Sequence, residues 1–196
     1  MLSVLDNDFV LARAPGRVKL TPMTSQADES AAANPYGLRA GEVSVALPEA
    51  FDASLYYIGR IHTPWHRREE CPKNGREAEA TCTIELDPRW VAGLNGLASV
   101  SHLVVLYWMD RARRDLVLQA PRHYAEQRGT FALRSPVRPN PVAMSVVRLL
   151  KIEGNRLSVV GLDCLDGTPL IDIKPYFAST DAVPDARVGW HAERRG

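Results

Sequence analysis

From residue 54 onward the chain is a series of short apolar runs separated by turn signals. Ser54–Ile61, S-L-Y-Y-I-G-R-I, is rich in aromatic and β-branched residues and predicts a first strand. Ala80–Leu86 alternates apolar and polar positions, and Ser101–Met109 is the most apolar run of all, which predicts a central strand. Gly129–Leu133, Val142–Leu150 and Leu157–Leu162 supply further strands, the last two joined by a turn at Glu153–Asn155. Leu157–Leu162 and Leu170–Ile173 read as two strands joined by an acidic D-G-T-P turn. One short helix is expected. Asp87 suits its N-cap and Pro88 its first position, Trp90, Val91 and Leu94 share a face with Trp90 as a core residue, and Gly93 and Gly96 end it. So many short strands and so little helix predict a mainly β fold, a closed or partly open β-barrel with one or two short helices.

Residues 1–53 have a different character, with the stretch A-D-E-S-A-A-A-N-P-Y-G and only short apolar patches such as Val43, Val45 and Leu47. That composition fits a flexible N-terminal extension, whereas the cluster Phe9, Val10 and Leu11 fits a covering arm or dimer contact. The expected division is an extension at 1–53, a barrel domain at 54–177 and a polar tail at 178–196, where Trp190 and the Arg194–Arg195 end either dock or fray.

Composition narrows the function classes. Across 196 residues, 45% hydrophobic and 24% charged residues are ordinary for a globular domain with a substantial core. A formal net charge of +1 provides no general attraction to nucleic acid, so an RNA site has to be a local patch. Cys71, Cys82 and Cys164 are odd in number and fit neither a disulfide framework nor a zinc knuckle, which predicts free thiols in a reducing compartment. The start M-L-S-V-L-D-N-D-F-V carries two acids where a signal peptide needs basic residues, and no apolar run is long enough to span a bilayer. A soluble, cytoplasmic protein without a membrane partner is expected. His62 and His66 lie four apart, but Pro64 between them forbids the helix that would bring both to one face, so no metal is expected.

Candidate chemistry gathers between Arg134 and Phe177. In R-S-P-V-R-P-N-P three prolines alternate with arginines and an asparagine, an extended loop presenting cations. Downstream, Asp163, Asp166 and Asp172 surround the D-G-T-P turn. Cationic loop and acidic turn together suggest a pocket for a ligand carrying both charge signs. Residues 111–138 also hold seven arginines against Asp115 and Glu126. They read either as a solvated face or as phosphate contacts, for which guanidinium forks are well matched.

R-S-P-x-R-P-N-P followed by a strand, then G-x-D-x-x-D-G-T-P-x-x-D-I-K-P-Y, resembles the signature of the TsaA-like (TrmO-like) β-barrel family over about residues 56–177. That family includes S-adenosylmethionine-dependent methyltransferases acting on N6 of threonylcarbamoyladenosine next to the anticodon of tRNA. The resemblance implies S-adenosylmethionine as cofactor, tRNA as substrate and a homodimer with the cofactor close to the subunit contact. It implies cofactor contacts at Pro72, Lys73 and Asn74, at Asp110 and Arg111 where the family commonly has a histidine, and at the Asp163, Cys164, Leu165 and Asp166 turn. Arg134 would then face the cofactor carboxylate, Asp163 and Asp166 its positive groups, and Val142, Met144 and Leu165 its adenine ring. Asp110 and Asp172 are candidates for the acceptor that orients N6 and takes up its proton. Arg113, Arg114, Arg122, Arg138 and Lys174 are the candidate RNA contacts.

Other signatures are missing. No G-x-G-x-x-G follows a strand, so a Rossmann-type methyltransferase has no support, and Asn140-Pro141 only partly echoes D-P-P-Y. Two alternatives stay open: a regulatory protein that binds S-adenosylmethionine without transferring its methyl group, and an RNA-binding module that uses the arginines without any cofactor.

Overall fold

A computed structural model describes residues 37–121, 124 and 126–192. Phe9–Leu11, Arg122 and Arg194–Arg195 lie outside the described residues. Leu38–Gly196 forms one compact unit. Its strands in chain order are β1 (Val43–Ser44), β2 (Gly59–His62), β3 (Thr81–Leu86), β4 (His102–Trp108), β5 (Leu116–Gln119), β6 (Arg128–Gly129), β7 (Val142–Glu153), β8 (Arg156–Val160) and β9 (Thr168–Pro175).

Six of them close an antiparallel barrel in the order β2-β3-β8-β7-β4-β9, with β9 pairing back onto β2. Side-chain alternation explains the closure. Leu103, Val105 and Tyr107 on β4, Val147 on β7, Leu157 and Val159 on β8 and Ile84 on β3 all turn inward and are buried. The short strands β1, β5 and β6 form a second sheet, so Val43–Ser44, inside the segment read as an extension, is hydrogen-bonded to β5. Beside that sheet, buried Gln119 donates to Thr130 Oγ1 at 2.8 Å and to the Val137 carbonyl at 2.6 Å, and Thr130 Oγ1 donates to Leu116 O at 2.8 Å. These bonds fasten the proline–arginine loop to the sheet.

Four local expectations need correction. The first strand starts only at Gly59; Ile58 still bonds through its backbone to Leu170 and Asp87, but Ser54–Tyr57 is irregular and exposed, with Tyr56 81% exposed, because composition favoured a strand beyond the point where neighbours pair. Of the predicted run Gly129–Leu133 only Gly129 lies in a strand, the two-residue β6, and a 3-10 turn follows at Thr130–Ala132. Pro88–Leu94 is a 3-10 segment, capped as expected by Asp87 accepting from Arg89 N at 3.0 Å. Three residues per turn break the face that an α-helix would have shared between Trp90 and Leu94, so Trp90 is exposed while Leu94 packs on the core. Finally, β8 and β9 are not a hairpin: β8 lies between β3 and β7, and β9 between β4 and β2. The D-G-T-P segment crosses the barrel end, with Gly167 at φ +77° making the turn.

Two short helices, α1 (Ala178–Asp181) and α2 (Gly189–Ala192), follow the barrel. Trp190 docks, its ring edge-on to Tyr124 at 5.2 Å with the Arg128 guanidinium 5.5 Å from its centroid. Among the described residues no helix is long and apolar enough to cross a membrane.

Candidate active site

Antiparallel register collects the candidate residues at one mouth of the barrel. Trp108 at the end of β4 lies opposite Val142 at the start of β7, and His62 at the end of β2 lies opposite Thr83 near the start of β3. Four segments therefore meet there: the β2–β3 loop with Pro72, Lys73 and Asn74; the turn after β4 with Asp110 and Arg111; the start of β7; and the crossover at Asp163–Gly167.

The centre of this mouth is Asp163. Its Oδ1 accepts the Tyr107 hydroxyl at 2.8 Å and lies 3.4 Å from the Ser145 hydroxyl, and the two hydroxyls are 2.9 Å apart. Tyr107 and Ser145 are buried, and burial, followed by the Asp163 carboxylate, pushes the Tyr107 phenol well above its ordinary pKa. It is therefore a fixed donor at neutral pH. Among the described residues nothing bonds to Asp163 Oδ2. A half-buried carboxylate with one oxygen anchored and the other open can receive a cation or a hydroxyl from a ligand.

Asp166 is held differently. Its Oδ1 accepts from Thr63 N at 3.1 Å and lies 3.5 Å from His62 Nδ1, while His66 Nδ1 is 3.9 Å from Oδ2. The two histidines thus converge after all, through a loop around Pro64 instead of a helix. Asp166 N donates to Trp65 O at 2.8 Å and Gly167 N to Ile61 O at 2.9 Å, so Asp166 fastens the crossover to β2. Cys164, beneath it, is fully buried, and its carbonyl accepts from Thr63 Oγ1 at 2.9 Å. Leu165 is half-buried. Among the described residues no group of three or more His, Cys, Asp or Glu is arranged to hold a metal ion.

Thiol chemistry follows from packing. Burial pushes the Cys164 thiol up to about 12 and that of Cys82 to about 11, while half-buried Cys71 is raised by burial and then by Asp163. At pH 8 an alkylating reagent should modify Cys71 alone in the folded protein. Peptide mass spectrometry reads this, and native-state labelling of Cys164 would contradict the packing.

The β2–β3 loop is pressed onto the barrel by backbone contact. A Cβ at Gly75 would lie 2.0 Å from Gly161 O, and Gly161 itself has φ +114° against Val146 and Val147. Just before it, Asn74 caps a turn, accepting from Arg76 N at 2.9 Å and donating to Glu77 at 2.5 Å. Lys73 is exposed and Pro72 half-buried.

Other predicted residues are placed less centrally. Asp110 and Arg111 are exposed in the tight turn after β4. Val142 and Met144 lie on the outer face of β7, and Arg134 donates through Nη2 to Met144 O at 3.2 Å. Asp172 is on the outside of β9, ion-paired with Lys174 at 2.5 Å. The arginine excess is largely engaged within the protein. Arg113 forks onto Asp115 with two 2.8 Å bonds; Arg114 donates to Pro139 O and stacks near Phe51 and Trp108; Arg138 reaches Thr130 O and Leu133 O. Tyr107 and Ser145 are the residues that sequence reasoning missed. Their polar atoms at inward-facing strand positions were the available signal.

Residues 60–182 match the tRNA-methyltransferase O N-terminal domain family. A probable S-adenosyl-L-methionine-binding protein, VirR of Rhizobium radiobacter, is 49% identical over 70% of this chain and 79% of its own. A crystal structure of TrmO from Pseudomonas aeruginosa superposes with a TM-score of 0.60 at 38% identity, covering 71% of this chain and 63% of that one. More distant is a mouse tRNA (adenine(37)-N6)-methyltransferase, 37% identical over 48% of this chain but only 23% of the mouse protein. With a matching barrel domain over well more than half its length, the chain belongs to the tRNA-methyltransferase O family.

Proposed function

We propose that the protein is an S-adenosylmethionine-dependent methyltransferase acting on N6 of threonylcarbamoyladenosine next to the anticodon of tRNA. Asp163 carries this reading: an acceptor with one oxygen anchored by Tyr107 and Ser145 and the other open, at the mouth where the candidate loops converge. S-adenosylmethionine brings an activated methyl group beside a sulfonium and an amino acid end, which calls for acceptors, a guanidinium and apolar walls. Asp163 suits its positive groups, Arg134 its carboxylate, and Leu165, Val142 and Met144 its ring. Asp166, already bound to Thr63 and flanked by His62 and His66, holds the crossover in place. Asp110, exposed at the same mouth, is the better placed of the two candidate acceptors for the N6 proton, since Asp172 is tied to Lys174. The exposed apolar pair Val142 and Met144 on the outer face of β7 suits a second copy of the chain, and we propose a cytoplasmic homodimer.

One observation favours cofactor binding without transfer. Among the described residues nothing orients the Asp110 carboxylate, which is exposed. An RNA-binding role without cofactor is disfavoured by the internal partners of Arg113, Arg114 and Arg138. Incubation with labelled S-adenosylmethionine and bulk tRNA from cells lacking this protein, followed by nucleoside mass spectrometry, separates the readings. The expected product is N6-methylated threonylcarbamoyladenosine. Cofactor binding with no transfer to any nucleoside would establish the second reading.

A further inference from the structure

Two arginines that the candidate active site does not use line a single open cleft of about 410 Å³ on the outside of the barrel, together with Gly75, His102, Val146 and Tyr176. Each wall is fixed. His102 lies directly opposite Arg148 across the β4–β7 ladder, on the outward side of strands whose next residues, Leu103 and Val147, face the core. Tyr176 N donates to His102 O at 3.0 Å, which ties Tyr176 to the start of β4. Arg76 follows Gly75, whose contact with Gly161 presses the loop against the barrel.

Unlike Arg113, Arg114 and Arg138, the guanidiniums of Arg76 and Arg148 are exposed and make no hydrogen bond or ion pair among the described residues. Two open guanidinium forks beside an aromatic ring and an imidazole match a phosphodiester next to an unstacked base. The cleft runs from the edge of the candidate active site outward: Gly75 follows Asn74 and Val146 lies two residues from Met144, whereas His102 at the far wall is six residue steps or about 20 Å along β4 from Trp108 at the mouth. A chain-like ligand fits so elongated a path.

We infer that this cleft seats a backbone phosphate of the RNA substrate, with Arg76 and Arg148 on the phosphate oxygens, His102 as a further donor and Tyr176 against a neighbouring base. The inference rests on the tRNA methyltransferase reading and names a docking site for that substrate away from the reacting base.

The test is the double variant R76Q/R148Q, which changes two exposed side chains and keeps their polar ends. Its binding to unmodified bulk tRNA is measured over a salt series, alongside the rise in melting temperature caused by S-adenosylmethionine. Affinity at low salt should fall at least about tenfold, and the slope of log K against log salt should shrink by about 1 to 2, as expected for one or two phosphate contacts. The cofactor-induced rise should be unchanged. Wild-type binding matched by the variant in affinity and slope would overturn the cleft assignment alone. Loss of the cofactor effect with tRNA binding intact would give the cleft to the cofactor and overturn it equally. Failure of the wild type to bind any tRNA would overturn both this inference and the methyltransferase reading.

Discussion

Asp163→Asn should weaken S-adenosylmethionine binding by about 5- to 15-fold, the loss expected when a hydrogen bond to a charged group, about 1.5–3 kcal/mol, is replaced by a neutral one, about 0.5–1.5 kcal/mol. Asparagine keeps an oxygen that can still accept from Tyr107 and Ser145, so the buried hydroxyls stay satisfied and the barrel stays folded. What changes is the charge on the open side of the carboxylate. Tyr107→Phe is the complementary variant, leaving the charge but removing the anchoring donor, and should weaken binding less than Asp163→Asn. Calorimetric titration with the cofactor, paired with thermal melts, separates a site from a scaffold. If Asp163→Asn lowers the melting temperature but binds cofactor as the wild type does, Asp163 is structural and the proposed site is wrong.

Gly75→Ala should be the most damaging small substitution in the β2–β3 loop. The new Cβ would sit 2.0 Å from a backbone oxygen, Gly161 O, which cannot swing aside as a flexible side chain would. Overpacking of this kind typically costs about 1–3 kcal/mol. Relief comes from lifting the loop, and with it Pro72, Lys73 and Asn74 move away from the mouth. A lower melting temperature together with weaker cofactor binding is therefore expected. Gly93→Ala is the control, since a Cβ there meets nothing within 4 Å. Equal behaviour of the two variants would show that the loop does not depend on its contact with Gly161.

Central strands were legible because their chemistry is local. Ser101–Met109 became β4 and Val142–Leu150 became most of β7, each being long, apolar and buried on one face. Pairing partners were not legible. Asp166-Gly167 is a turn signal, but a turn signal reports a change of direction and not which strand lies alongside, so β8 and β9 were read as neighbours. The arginines illustrate the same limit. Seven in one stretch describe a composition, whereas Asp115, Pro139 and Leu133 decide which guanidiniums are occupied. At the mouth, the D-x-x-D-G-T-P motif pointed to Asp163, while its supports, Tyr107 and Ser145, come from strands 56 and 18 residues earlier in the chain.

Closure of the barrel also governs how it can be assembled. Gly59 pairs with Leu170, so β9 joins the ring on two sides at once, to β2 through residues 168–170 and to β4 through residues 170–175. Until β9 has been synthesised, both of those strands present a row of unpaired backbone groups, the feature that invites pairing with another chain. Closing so long a segment opposes rapid folding, because its entropy is lost before the distant contact forms. A chain halted before residue 168 should therefore be trapped with two open edges, and the growing polypeptide is most exposed to aggregation in the interval just before the last strand emerges.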